Sequence, residues 1–297
     1  MNEIRTFLLG LCFACTPGMT IATTQDSLQA KDYRNTTHAT MVGIGAVRQL
    51  DTYLSPLNYT GPQLQVMHET MRFTRMGQGR VSVQSMWQGD LSMTHNQPNK
   101  GNFIGGNIRY DIGWHYNWNF PSFASAAEYE GKNTSKFRVL LGPQIGANIG
   151  FLYSTRNGNN PSQALASLHI SASAAAIYNF KLWRQPIAAR YQLDIPLIGL
   201  KFSPAYGQSY YEIFTEGRTD HNICFVHPFN AFTSRHLLTI DIPFQRATLR
   251  VGYLCDIRQS EVNELKYHAY THAFMIGWVR HLRYVRTRRT QLKGFAM

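Results

Sequence analysis

Residues 81–96, VSVQSMWQGDLSMTHN, place Val81, Val83, Trp87, Leu91 and Met93 on odd positions and Ser82, Gln84, Gln88, Asp90, Ser92 and Thr94 on even ones. A period of two sends successive side chains to opposite faces of an extended strand, so this stretch has one apolar and one polar face. The separation recurs along the chain. Ile104, Ile108, Tyr110, Ile112, Trp114, Tyr116 and Trp118 oppose Asn107, Arg109, Asp111, His115 and Asn117. Phe137, Val139, Leu141, Ile145, Ile149, Phe151 and Tyr153 oppose Arg138, Gln144 and Asn148. Leu168, Ile170, Ala172, Ala174, Ala176, Tyr178 and Phe180 oppose Ser167, His169, Ser171, Ser173 and Asn179. Ile187, Ala189, Tyr191, Leu193 and Ile195 oppose Arg190, Gln192 and Asp194, and Leu249, Val251, Tyr253 and Ile257 oppose Arg250 and Asp256. Segments 37–48 and 62–75 read as extended but are less cleanly divided, and 269–284 fits either face.

Strands in soluble proteins cluster at about 5–6 residues. A tilted strand crossing a bilayer needs about 9–11, and several of these runs are longer than that. The apolar faces end in aromatics, in the manner of an interfacial girdle, while arginines and aspartates sit in mid-strand on the other face, where they are tolerable only if they line a lumen. The pattern therefore predicts an all-β fold, an antiparallel transmembrane β-barrel of about 10 to 12 strands. A secreted β-sandwich is the competing architecture, and strand length argues against it. No run approaches the roughly 18–20 apolar residues of a membrane helix, and mean hydropathy is −0.27.

Short connections at 76–79, 182–185 and 243–246 alternate with longer or more polar ones at 49–60, 96–101, 154–162, 199–231 and 258–268. In outer-membrane barrels short turns face the periplasm and long loops face outward. With both termini in the periplasm this gives ten strands, or twelve if 199–231 holds a further hairpin. The long connection 119–135 falls on the periplasmic side against that rule.

The N-terminus sets the compartment. Arg5, the apolar stretch Phe7–Phe13, the breakers Pro17 and Gly18 and the small residues Thr20 and Ala22 make residues 1–22 a cleavable secretory signal. Residues 23–36 then form a periplasmic segment, 37–285 the barrel and 286–297 a basic tail. Of four cysteines, Cys12 and Cys15 leave with the signal. Cys224 and Cys255 remain, with neither a disulfide framework nor metal-ligand spacing, and a bridge between them is as plausible as two free thiols.

A net charge of +12 raises the question of nucleic acid, but export removes that partner and no aromatic-basic recognition motif is present. The charge instead divides in two. Arg109, Arg138, Arg190 and Arg250 are expected to pair inside the lumen with Asp90, Asp111, Asp194, Asp241 and Asp256, forming an internal plug. Arg280, Arg283, Arg286, Arg288, Arg289 and Lys293 collect near the C-terminus, solvated or touching anionic headgroups. Outside the membrane, RNGNNPSQ offers Arg156, Asn157 and Asn160, and FSPAYGQSYYEIF offers Tyr206, Tyr210, Tyr211 and Glu212, as candidate contacts for a glycan or headgroup; structured turns and packing into the barrel mouth are the competing readings. No catalytic residue is assigned. His115 and His169 read as lumen hydrogen-bonding partners, and His268 and His272, four apart on a strand, are about 13 Å apart and unsuited to share a metal. No metal and no cofactor are implied.

The segments DTYLSPLNYTGP, VSVQSMWQGDLSMTHN, YSTRNGNNPSQA, ARYQLDIPLIGLKFSPAYGQSYYEIF and RVGYLCDIRQSEVNELKYHAYTHAFMIGWV resemble an uncharacterised outer-membrane β-barrel family, a domain of unknown function, of Bacteroides-group bacteria. The resemblance covers most of the mature chain and departs from the family at the Ala/Ser-rich stretch 122–135 and the basic tail. It implies a barrel in the outer membrane, with outer-membrane lipids and, during biogenesis, the barrel-assembly machinery as partners, and no assigned activity or ligand. A non-enzymatic structural or narrow transport role is the first functional expectation. The alternative is hydrolysis of lipid or glycan at the outer leaflet, which requires Ser, His and an acid in hydrogen-bond reach at the outer rim. Deleting residues 1–22 is expected to retain the protein in the cytoplasm on cell fractionation; recovery of the truncated chain with the outer membrane refutes the signal reading.

Overall fold

The computed structural model describes residues 33–97, 101–120, 137–158, 160–182, 185–244 and 247–285. The signal, most of the segment 23–36, the connection 121–136 and the basic tail lie outside the described residues. Among the described residues there are eleven strands, one short α-helix and a 3-10 turn at Met76–Gly79: β1 Tyr33–Asp51, β2 Ser55–Phe73, β3 Val81–Asn96, β4 Asn102–Phe120, β5 Phe137–Ser154, β6 Ser162–Leu182, β7 Gln185–Phe202, α1 Tyr210–Phe214, β8 Ile223–Val226, β9 Thr233–Pro243, β10 Thr248–Val262 and β11 Leu265–Val285. All pairings are antiparallel. β1 to β7 pair in sequence, β7 pairs β9, β9 pairs β10, β10 pairs β11, and β11 returns to β1, closing a barrel of ten strands.

The eleventh strand is a fragment of wall. β9 covers Ala188–Asp194 of β7, and β8 takes over at Gly199–Phe202 in the same direction. Segment 199–231 therefore holds one helix and one short strand where a hairpin would have raised the count to twelve. It also begins later than expected, because a bulge beside Ile170/Ser171 shifts the β6–β7 register and β7 continues to Phe202. The bulge reverses the parity of β7, so the inward positions change from Arg190, Gln192 and Asp194 to Gly199 and Lys201. A strict period-two reading loses the strand at that point.

Two further connections contract. The β1–β2 turn is residues 52–54, and the β10–β11 hairpin is Asn263–Glu264, whose φ values of 52° and 60° define a two-residue turn of the primed type that follows the strand twist. Both had read as longer loops, since strand ends that project beyond an apolar band are polar on both faces. β11 resolves the ambiguity of 269–284 as one continuous strand.

The two faces separate as the alternation predicts. Ile44, Leu64, Leu91, Ile108, Ile149, Leu168 and Phe274 are exposed on the outer surface, and near the end that carries the termini the register sets Phe120 beside Phe137 and Phe137 beside Tyr178. The lumen is filled, as ten strands require. On one side Met41, Met67, Met86, Met275, Leu237, Leu254 and Ala273 form an apolar cluster; unbranched thioethers suit an irregular gap of this kind. At the end opposite the termini Tyr59 stacks on Phe103 with centroids 3.6 Å apart, packed with Leu54, Leu152 and Leu165.

Close strand approach explains one glycine in particular. A Cβ on Gly142 would lie 1.7 Å from the Trp114 carbonyl oxygen of β4, whereas one on Gly158, in the β5–β6 loop, would meet nothing within 4 Å. Gly142→Val is expected to lower the thermal midpoint of the purified barrel by an amount corresponding to about 1–3 kcal/mol of overpacking, with Gly158→Val indistinguishable from wild type. Equal midpoints for the two variants would show that the β4–β5 spacing is not constrained there.

Candidate functional site

The inward positions of β2, β3, β4, β6, β7, β9 and β10 bring acids, arginines and amides from opposite walls into one network. Its first centre is Glu69 on β2. Arg190 Nη1 of β7 donates to Glu69 Oε1 at 2.5 Å, Arg250 Nη1 of β10 to Oε2 at 2.8 Å, and Gln84 Nε2 of β3 to Oε1 at 2.7 Å. Arg250 also forks onto Asp241, Nε to Oδ1 at 2.6 Å and Nη2 to Oδ2 at 2.8 Å. This planar two-point fit is one an arginine makes and a lysine does not.

The second centre is Arg235 on β9, which is fully buried. Its Nη2 donates to Asp194 Oδ2 at 2.7 Å and its Nη1 to Asp111 Oδ2 at 2.8 Å, tying β9 to β7 and across the lumen to β4. Arg109 Nε shares the same Asp111 oxygen at 2.8 Å, and His169 Nε2 lies 3.0 Å from Asp111 Oδ1. A third, smaller group sets Arg258 of β10 3.1 Å from Asp90 and 3.5 Å from Asp256.

The residues expected in the lumen thus occupy distinct places. Arg190 and Arg250 join at Glu69, Arg109 and Asp111 join Asp194 through Arg235, and Asp90 and Asp256 flank Arg258. Arg138 stands apart, half-buried, with its guanidinium carbon 6.0 Å from the Phe73 ring centroid. Glu69, Arg235 and Arg258 were absent from the sequence-based set. Glu69 sits in 62–75, where polar Gln63 and Gln65 share the inner face with Met67 and blur the division. Arg258 had been assigned to a loop, and Arg235 lies in β9, just past the loop residues. Charge counting gave no signal for them, since the clean parity runs already supplied an aspartate for each arginine.

Ser173, His115 and an acid do meet, and the geometry shows what they can do. Ser173 Oγ donates to Asp194 Oδ1 at 2.5 Å, and His115 Nε2 lies 2.9 Å from Ser173 Oγ. With its proton committed to Asp194, the hydroxyl accepts from an Nε2–H tautomer of His115, and His115 Nδ1 has no hydrogen-bond partner among the described residues. A nucleophilic serine requires the acid on the far nitrogen of the histidine and the serine proton pointing at the near one. Here the acid is on the serine, and both Ser173 and His115 are buried in mid-strand rather than at a rim. The arrangement orients side chains; it does not generate an alkoxide.

At the end opposite the termini the loop 203–232 folds over the opening. Ser209 and Glu212 form a reciprocal capping box on α1: Glu212 N donates to Ser209 Oγ at 3.2 Å and Ser209 N to Glu212 Oε2 at 2.7 Å. These bonds from Ser209 hold the Glu212 carboxyl below its usual range. Tyr210 turns inward, its hydroxyl donating to Gln163 Oε1 at 2.8 Å and accepting from Ala164 N at 2.6 Å, with its ring edge-on to Tyr53. Burial pushes the Tyr210 phenol up to about 12. Tyr53 donates to the Gln208 carbonyl at 2.9 Å, and Asn157 Nδ2 to the Leu54 carbonyl at 2.8 Å. Of the candidate contact residues, Asn157, Tyr210 and Glu212 are therefore engaged in closing this end. Asn160 shapes its turn at φ 50°, while Arg156, Tyr206 and Tyr211 face solvent.

Comparison with known proteins follows the fold. The transport unit of the autotransporter AIDA-I from Escherichia coli aligns with 86% of this chain and 93% of its own at 9% identity and a TM-score of 0.41. The translocator domain of the autotransporter NalP from Neisseria meningitidis aligns with 82% and 88% at 10% identity and 0.37, and an outer membrane channel from Pseudomonas putida F1 with 84% and 96% at 7% identity and 0.33. No curated protein sequence matches the chain. The family described as "Protein of unknown function (DUF3316)" matches residues 6–289, and the protein belongs to that family.

Proposed function

We propose that this chain is an outer-membrane β-barrel of a Gram-negative bacterium with a non-enzymatic role, structural or narrowly transporting, and with a lumen too full of paired side chains to act as an open pore. The observation that carries this reading is the cross-barrel network: Glu69 holds Arg190 of β7 from the far wall together with Arg250 of β10, and Arg235 joins β9 to β4 and β7. A water-filled channel would leave these charges solvated and separate. The secretory signal expected at residues 1–22 and the apolar outer band support the location, outer-membrane lipids are the partners that such a band requires, and folding there would call on the barrel-assembly machinery. Hydrolysis at the outer leaflet fits poorly, because Ser173 and His115 are in mid-strand with the acid on the wrong partner.

In planar bilayers the purified wild-type barrel is expected to give no stable porin-like conductance steps; such steps would refute the closed lumen. Glu69→Ala strands Arg190 and Arg250 and should lower the thermal midpoint by the equivalent of about 3–5 kcal/mol, the usual result of orphaning a buried charge. An unchanged midpoint would mean that water already reaches the site. For location, Ile108→Arg should impair membrane assembly more than Asn107→Arg, since a cation on the lipid face costs about 2–4 kcal/mol near the midplane; comparable recovery of both variants in outer-membrane fractions would overturn it.

A further inference from the structure

The wall of the barrel has an interruption. Between Asp194, the last residue of β7 paired to β9, and Gly199, the first paired to β8, residues 195–198 have no ladder partner on that edge. Pro196 carries no N–H, and Leu197 is the bulged residue without a partner on β6 either. The chain that would have covered this edge leaves it. Residues 227–231 form a self-contained turn, with Ala231 N donating to the His227 carbonyl at 2.8 Å, and then run along β10, where Gln259 N donates to Phe232 O and Glu261 N to Asn230 O. The slot is closed below by the β7–β9 ladder and above by the β7–β8 ladder.

A cavity of about 90 Å³ lies behind it, and its lining comes from both sides of the wall. From the lumen come Arg109, Lys201, Arg258 and Tyr267; from the wall come Ala166, Leu168, Val226 and Ala231. The inner part sets cationic donors among acids: Arg258 lies between Asp90 and Asp256, and the buried Asp51 carboxylate attracts Lys201 without an ion-pair contact. Asp111 Oδ2 is shared between Arg109 and Arg235, and the nine-tenths-buried Arg109 keeps an Nη2 without a hydrogen-bond partner among the described residues. Lys201 donates to Ser260 and lies 4.8 Å from the Tyr267 ring, with no carboxylate in ion-pair range among the described residues. The outer rim is apolar: Leu197, Ile198, Phe225 and Phe229 are exposed around the slot, Phe229 by 96%. Exposed backbone at membrane depth is tolerated where it lines a cavity, and here the cavity joins an apolar outer surface to buried cations.

We propose that this slot is a lateral binding site for an anionic amphiphile, with the carboxylate or phosphate head against Lys201 and Arg109 and the acyl chain leaving through the wall over Leu168, Leu197 and Phe229. The site takes the apolar band as lipid-facing, as the proposed location does, but its test is made in detergent and is read without any membrane fractionation. Native mass spectrometry of the full barrel released from dodecyl maltoside micelles, titrated with dodecyl phosphate, is expected to show one dodecyl phosphate per barrel and none of inorganic phosphate at equal concentration. Lys201→Met should weaken binding by about tenfold, the loss of one charge contact. Ala166→Trp, which fills the slot from outside and leaves every charged group in place, should abolish it. Undiminished binding in both variants, no binding to wild type, or inorganic phosphate competing as well as dodecyl phosphate would overturn the proposal.

Discussion

A ten-strand barrel must fill its own interior, and in this protein Glu69 decides how. Its two oxygens hold Arg190 from β7 across the lumen and Arg250 from β10 farther round the wall, so a single carboxylate spans the bore. Removing ions from water costs several kcal/mol each, and a buried pair recovers this only with good geometry and satisfied remaining donors. The surrounding amides supply part of that satisfaction. Gln84 bonds both Glu69 and Gln192, and Arg190 also donates to Gln192. Such a network contributes less to net stability than to uniqueness: slipping one strand by one residue would turn an arginine out of the lumen and leave its acid unpaired.

The lumen is divided by chemistry as well as filled. The methionine cluster runs along β1, β2, β3, β9, β10 and β11, while the charged centres take the remaining inner surface and reach across. Dry contact on one side lowers the local dielectric around the ion pairs on the other, which strengthens each pair and raises the cost of breaking any. The stacked Tyr59 and Phe103, with Tyr210 and Tyr53 above them, continue the filling to the end where α1 folds over. In this respect the loop 203–232 is part of the packing, which is why its Tyr210 and Glu212 are spent on internal contacts.

Alternation alone revealed the class of fold and the inner face of β3, β4, β5 and β6, because in those strands apolar and polar residues segregate almost completely. It failed where the physical rule behind it changes. β7 changes parity at a bulge, β1 and β2 mix glycine, methionine and polar residues on their inner face, and the polar ends of β1, β2, β10 and β11 look like loops. Arg235 and Arg258 were missed beside loop-like sequence: Arg235 follows a segment that reads as a loop and Arg258 begins one, yet each is an inward position of a ladder. Charge balance could not reveal Glu69, since each arginine of the clean runs already had an aspartate to match it.

The slot in the wall and the plug in the lumen have a common origin in β7. Below Asp194 this strand contributes Arg190, Gln192 and Asp194 to the network and is paired on both edges. Above it, Pro196 and the bulge at Leu197 end that pairing and rotate the strand, so that Lys201 enters the lumen beyond the reach of the acids that neutralise the arginines. Had the parity continued unbroken, Lys201 would have pointed outward into the apolar band, and the inner surface beside Ser260 and Tyr267 would have carried one cation fewer. The irregularity that opens the wall is therefore the same one that places Lys201, a cation bonded to Ser260 and with no carboxylate in ion-pair contact among the described residues, directly behind the opening.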